Sequence, residues 1–276
     1  MTKTHGASLA SLAASFWGNR PIIWRMTVRE VISRYRGSVL GIAWSFFNPL
    51  LLLLVYTFVF TVVFQARWGS VDAAMDDRGS FSIMIFSGMI VHALFSECFN
   101  RAPTLITGNP NYVKKVVFPL EIMPWVVMGS AIFHALVSIV VLLIAQLMLM
   151  GSVPWTVLLV PLTLLPLVFL TLGLSWLLAS SGVFFRDLAQ LTGIVSTVML
   201  FLSPVFYPLS GLSPEYQTLL YLNPLTFVIE ATRSVLILGE LPSVMALAGY
   251  YCVSIVVAWL GFAWFQKTRQ GFADVI

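Results

Sequence analysis

The sequence predicts an all-α integral membrane protein: six transmembrane helices, an N-terminal amphipathic interface helix, and two short re-entrant helices before the last span. Three observations predict it. The 276 residues are 59% hydrophobic and only 9% charged, against roughly 25% charged in a soluble domain. Mean hydropathy is +0.94. The charges gather in short clusters, separated by uncharged runs that reach the ~20 apolar residues a crossing helix needs. Residues 1–36 form a tail and interface helix, and 37–276 form one transmembrane domain. No repeat, low-complexity tract or separate soluble domain is visible.

At the N-terminus, residues 7–17 are small and apolar, like a weak signal sequence. Only Lys3 and His5 precede them and an arginine-rich segment follows, so the expectation is an uncleaved cytoplasmic tail. Arg20, Arg25, Arg29, Arg34 and Arg36 come next. Projected at 100° per residue, Trp24, Val28, Val31, Ile32 and Tyr35 form an apolar stripe. Arg25, Arg29 and Arg36 adjoin it, and Glu30, Ser33 and Arg34 lie opposite. This is the pattern of a helix lying in the membrane interface. Two roles are open to the arginines: setting topology and binding bulk anionic lipid, or guiding a phosphate-bearing head group by paired hydrogen bonds.

The spans are expected at 37–66, 79–100, 122–150, 155–183, 188–208 and 241–266. Gly151-Ser152-Val153-Pro154 supplies the turn between the third and fourth. Six spans put both termini on one side. With the termini cytoplasmic, the inner segments hold 12 of the 15 basic residues and the outer ones only Arg67, Arg78 and Arg233. The positive-inside rule therefore selects that orientation.

Between spans 5 and 6, Ser213-Pro214-Glu215 and Asn223-Pro224 each read as a helix start, with a capping residue before a first-turn proline. The second piece, 225–238, is too short and too charged to span, and Gly239 stops it. Helices at about 213–238 dipping into the outer leaflet fit this pattern; a hairpin lying on the surface is the alternative.

Other polar groups have plain readings. Asn109-Pro110 starts a short helix carrying Tyr112, Lys114 and Lys115, either a solvated charge pair or a docking element for a cytoplasmic partner. Arg186 and Asp187 are adjacent, so each caps a span end or meets another segment rather than its neighbour. His92, Glu97 and His134 lie in or near spans, but neither histidine has a carboxylate at helical spacing, which argues against a proton relay. Cys98 and Cys252 read as reduced thiols. The aromatics Trp44, Phe47, Tyr56, Phe201, Phe206 and Tyr207 are packing residues or interfacial anchors, with a subset open to lining a sugar path. The sequence lacks HExxH, GxSxG and any metal-ligand spacing, so the chain reads as a transport subunit rather than an enzyme, with no cofactor of its own. It also lacks a GxxxxGK[ST] loop, so ATP and Mg, if used, sit in a separate polypeptide. The net charge of +4 does not point to nucleic acid, because the basic residues cluster at membrane edges.

The run Arg34-Tyr35-Arg36-Gly37-Ser38-Val39-Leu40-Gly41-Ile42-Ala43-Trp44 through Asn48-Pro49 resembles the membrane subunit of polysaccharide ABC exporters, most of all the O-antigen branch. Lys114 to Pro119, Phe185-Arg186-Asp187, Ser203 to Tyr207, Asn223-Pro224 and Gly271 to Asp274 agree in order, so the likeness covers nearly the whole chain. The resemblance implies a homodimer in the bacterial inner membrane with two ATP-binding cassette subunits. It also implies a glycan substrate on an undecaprenyl-diphosphate carrier, entering from the inner leaflet. It makes Arg25, Arg29, Arg34 and Arg36 head-group candidates, and Asn109, Tyr112, Lys114, Lys115, Arg186 and Asp187 ATPase-coupling candidates. The helices at 213–238 become outer gates, with Tyr216, Tyr221, Phe227, Glu230 and Arg233 as gate candidates. Capsule or teichoic acid export, or a drug or lipid permease of the same superfamily, are the near alternatives. A secondary transporter would need repeat symmetry or an ion site in broken helices, and the sequence shows neither.

Overall fold

The computed structural model describes Gly6 and residues 8–63, 78–114 and 118–275. The end of the first expected span, at 64–66, and Lys115 lie outside them. The described residues form helices and turns with no strand. In order they are α1 (Leu9–Tyr35), α2 (Trp44–Tyr56), α3 (Arg78–Arg101), α4 (Pro110–Lys114), α5 (Met123–Met150), α6 (Val160–Phe184), α7 (Leu188–Phe201), α8 (Pro214–Leu220), α9 (Pro224–Arg233), α10 (Val244–Thr268) and α11 (Phe272–Val275).

Among the described residues, five segments are long and apolar enough to cross a membrane: Gly41–Phe60, Ser80–Thr104, Leu120–Met150, Trp155–Phe184 and Val244–Val275. The fifth expected span, 188–208, is instead α7, 14 residues long, followed by turns from Leu202 to Tyr207. Ser203-Pro204 ends that helix: proline lacks an N–H to continue the ladder and pushes the preceding residue out of the helical region.

α3 is the centre of the bundle. Of its most apolar stretch 78% is buried, and it packs on α2, α5, α6, α7 and α9. α2 is the opposite case, with 17% buried. Its apolar side chains Leu51, Leu54 and Val55 face outward. α2 also loosens into π-helical turns over Thr57–Val63.

α6 and α10 make the most extensive helix pair. In lipid, apolar burial does not drive helices together; close packing does, and small residues at the crossing permit it. Here the crossing is Gly173 on Gly261. A methyl group on Gly261 would lie 2.0 Å from the Gly173 carbonyl oxygen, and one on Gly173 would lie 2.4 Å from that of Val257.

α1 starts at Leu9 and so takes in most of the expected tail. Ser8 caps it by accepting from the Ser11 N–H at 3.1 Å. Its buried residues are Ile23, Thr27 and Val31, spaced four apart against α5, and of the projected stripe only Val31 is among them. Trp24 and Ile32 are 69% and 54% exposed. The apolar stripe therefore divides into a protein-facing edge and an outward edge, the form expected of a helix wedged between bundle and lipid.

The helix ends follow the turn chemistry. Gly151 (φ +72°) closes α5 and Gly239 (φ +75°) closes the turns after α9, both in the left-handed region that glycine tolerates. Asn223 caps α9 through its side chain, accepting from the Leu225 N–H at 3.0 Å. Ser213 occupies the expected N-cap of α8, but its hydroxyl makes no capping bond.

Candidate functional site

A cavity of about 710 Å³ lies between the end of α1 and helices α2, α3 and α5. It is amphipathic along its length. One end carries Arg34, Tyr35, Glu97, Asn100, Arg101 and His134; the other is walled by Leu52, Tyr56, Phe86, Met89 and Ile90. On α3 the lining runs from Phe86 to Arg101, about 22 Å at 1.5 Å per residue.

The polar end is an ordered cluster. Arg34 Nη1 donates to Glu97 Oε1 at 2.6 Å, and His134 Nδ1 lies 3.1 Å from Glu97 Oε2. The Tyr35 hydroxyl is 3.0 Å from His134 Nε2. Burial raises the Tyr35 phenol above its ordinary range, an effect Arg34 opposes and Glu97 reinforces, so at neutral pH it remains a donor. Arg34 Nη1 also lies 3.1 Å from His134 Nδ1, so the four side chains form one closed cluster. Beside this cluster, Arg101 pairs with Glu30. Two guanidinium groups thus stand at one end of the cavity, each on a single carboxylate.

Reasoning from sequence missed this assembly. Helical spacing cannot join Glu97 and His134, which meet across α3 and α5. Arg34, projected to the far side of α1, is the residue that reaches them. The remaining arginines divide. Arg29 Nη2 donates to the Tyr112 hydroxyl at 3.0 Å, linking α1 to α4, while Arg25 and Arg36 are exposed.

Of the aromatic candidates, Trp44 and Tyr56 line the cavity. Phe47 does not; it is 40% exposed beside Phe46. Phe206 stacks on Phe60 at 6.2 Å and lies 5.8 Å from Phe201, and the Tyr207 hydroxyl donates to the Phe201 carbonyl at 3.2 Å. These rings form a separate group beside the π-helical end of α2. His92 donates from Nε2 to the Ser196 carbonyl at 3.1 Å and joins α3 to α7.

The described coupling candidates lie at α4 and at the start of α7. Asn109 donates to the Leu105 carbonyl at 3.0 Å just before α4, and Tyr112 stacks on Phe118 at 4.5 Å. Lys114 is exposed at the end of α4. Arg186 lines a cleft of about 510 Å³ with Pro103, Thr104, Thr107 and Pro110, and exposed Asp187 occupies the N-cap of α7. A lock unseen in the sequence centres on Glu121. Arg269 donates to Glu121 Oε2 at 2.6 Å and to the Phe118 carbonyl at 3.1 Å, and Trp176 Nε1 donates to the Glu121 carbonyl at 2.9 Å.

Of the gate candidates, Tyr216 and Tyr221 are exposed and Phe227 packs on Tyr250 at 5.5 Å. Arg233 is the anchor of this region. It is 2% exposed and donates to Glu230 at 2.6 Å, to the Pro204 carbonyl at 3.0 Å and to the Met84 carbonyl at 3.1 Å. It thereby ties α9 to α3 and to the turn after α7. Burial draws its guanidinium down to about 10 and raises the Glu230 carboxyl, with each partner opposing the other's shift. Cys98 is buried, Cys252 is exposed, and both are free thiols.

Residues 22–237 match the ABC-2 type transporter family. The chain is similar to an O-antigen export system permease protein of Myxococcus xanthus, 30% identical over 96% of this chain and 99% of the relative. It is similar to an O-antigen export system permease protein of Klebsiella pneumoniae, 24% identical over 91% and 93% of the two chains. It is also similar to a polysialic acid transport protein of Escherichia coli, 22% identical over 88% and 91%. With a bundle of apolar helices, a family match over most of its length and a relative matched end to end, this multi-pass membrane chain belongs to the ABC-2 type transporter family.

Proposed function

We propose that this chain is the permease subunit of an ATP-driven exporter that moves lipid-diphosphate-linked polysaccharide, O-antigen in type, across the bacterial inner membrane. The observation that carries the reading is the end-to-end likeness to the Myxococcus xanthus permease. The likeness to a polysialic acid transport protein keeps capsule export as the second reading, at lower identity.

In this reading α7, about 21 Å long, and the turns after it make a sixth crossing beside the five longer spans. Both termini are then cytoplasmic, in keeping with the positive-inside bias. α8 and α9 are outer gate helices. Two copies of the chain assemble with two ATP-binding cassette subunits, which hold ATP and Mg. The face carrying α4, Arg186 and Asp187 receives those subunits. Nucleotide-driven movement there reaches α1 through the Arg29–Tyr112 hydrogen bond and opens a path for the glycan. Undecaprenyl diphosphate is the carrier, and the arginine-rich end of α1 meets its head group.

The test is genetic. Deleting the gene should remove long-chain surface polysaccharide and leave lipid-linked glycan inside the cell, and the intact gene should restore export. An unchanged surface glycan profile rejects the reading. Loss of ATP hydrolysis in the co-purifying cassette subunit should give the same phenotype; continued export rejects the ATP coupling.

A further inference from the structure

We propose that the Arg34 end of the α2–α3–α5 cavity is a diphosphate site in which Glu97 acts as a built-in substitute for the ligand, occupying Arg34 and His134 until an incoming lipid diphosphate displaces it. The ligand class rests on the function proposed above. The geometry of the substitute is independent of it.

Three observations carry the inference. First, the donors converge. Arg34, His134 and Tyr35 are joined by contacts of 2.6–3.1 Å around one carboxylate, and Arg101 stands on the same cavity wall. A carboxylate and a phosphate offer guanidinium the same paired oxygens, so a site that holds one is shaped to hold the other. Second, access is unequal. The Arg34 side chain is 51% exposed and Glu97 only 14%, so a ligand in the cavity reaches the guanidinium more readily than the carboxylate. Third, the cavity matches an amphiphile. Its charged end passes into the apolar wall of Leu52, Phe86, Met89 and Ile90, along which a polyprenyl chain fits.

The charge balance explains why a substitute is useful. With Glu97 and Glu30 ionised, the two arginines are neutralised, so a single phosphate or carboxylate from bulk lipid gains little by exchange. A diphosphate brings more charge and a second set of oxygens, which can engage Arg34 and Arg101 together. Glu97 would therefore discriminate against monophosphates and return to Arg34 when the carrier leaves. Removing its charge should tighten binding, whereas a purely structural carboxylate would loosen it.

The experiment measures equilibrium binding of radiolabelled undecaprenyl diphosphate to the full chain in nanodiscs, with undecaprenyl monophosphate and phosphatidylglycerol as comparators. Glu97→Gln should bind the diphosphate about 5- to 10-fold more tightly and lose most of its preference over the monophosphate. Arg34→Ala should bind about 10-fold more weakly. Arg34→Lys keeps the charge without the paired geometry and should fall about 5-fold, which tests the site even if Glu97→Gln fails to fold. A folded Glu97→Gln chain that binds no more tightly than the parent overturns the proposal, as does unchanged binding by Arg34→Lys and Arg34→Ala. If gene deletion abolishes surface glycan yet these variants bind like the parent, the site fails and the export function stands. If the variants behave as expected while deletion leaves the glycan intact, the site stands and the polysaccharide assignment fails.

Discussion

Gly261 offers the sharpest test of how the bundle is held. Its backbone touches Gly173 so closely that an added methyl would stand 2.0 Å from the Gly173 carbonyl oxygen, where ordinary contact begins at 3.4 Å. The obstacle is backbone on a buried helix, not a flexible side-chain tip. Gly261→Ala therefore forces α6 and α10 apart by roughly a further 1.4 Å at the crossing. A displacement of that size forfeits much of the dispersion energy of the contacts around it, and overpacking of this kind costs about 1–3 kcal/mol. At about 2–4 °C per kcal/mol for a chain of roughly this size, the midpoint should fall by about 2–12 °C. Fluorescence-detected size exclusion after heating in detergent reads it directly. Gly249→Ala, on the same helix with nothing within 4 Å of the added methyl, is the control. It should be neutral or stabilising, because alanine is the better helix former by about 1 kcal/mol. A Gly261→Ala midpoint within 1 °C or so of the control would refute glycine-mediated close packing as the basis of this pair.

Four further outcomes follow from individual contacts. Arg233→Met should cost about 3–5 kcal/mol, because it leaves Glu230 and two carbonyls without their partner; Arg233→Met with Glu230→Gln should recover part of that loss in the same thermal assay. Arg269→Ala removes the lock onto Glu121 and Phe118 and should destabilise by about 1–3 kcal/mol, with limited proteolysis cutting near the C-terminus sooner than in the parent. Trp176→Phe keeps the aromatic packing but loses the bond to the Glu121 carbonyl, a cost of about 1–2 kcal/mol; an unchanged midpoint would show that bond to be idle. Arg25→Ala with Arg29→Ala should leave stability within about 1 kcal/mol, since both side chains are exposed, while lowering surface glycan at normal protein level; unchanged glycan sinks the head-group and coupling roles of that face.

The helical class was legible because a bilayer imposes its length on the sequence. An uncharged run such as 122–183 has few alternatives to two long helices, and Gly151 to Pro154 marks their turn. The starts of α8 and α9 were legible for a similarly local reason, since a capping residue before proline acts within one turn. Where neighbours decide, the reading weakened. Projection gave α1 one apolar stripe, but the bundle takes Ile23, Thr27 and Val31 and leaves Trp24 and Ile32 outside. The fifth expected span runs through Ser203-Pro204, whereas its helix ends at Phe201. Phe47 and Trp44 looked equivalent in sequence; only helix rotation puts one in the cavity and the other out of it.

The sequence by itself determined that this chain lives in a membrane, where α8 and α9 begin, and which family it resembles. Each of these depends on local composition or on short motifs. The tertiary structure alone decided which charges meet. Arg34, Glu97 and His134 are separated by 63 and 37 positions in the chain, and no periodicity connects them. They meet because α1 wedges against α5 while α3 fills the centre of the bundle. In a low-dielectric interior, buried charges must find partners wherever the packing brings them, and packing is a property of the whole fold.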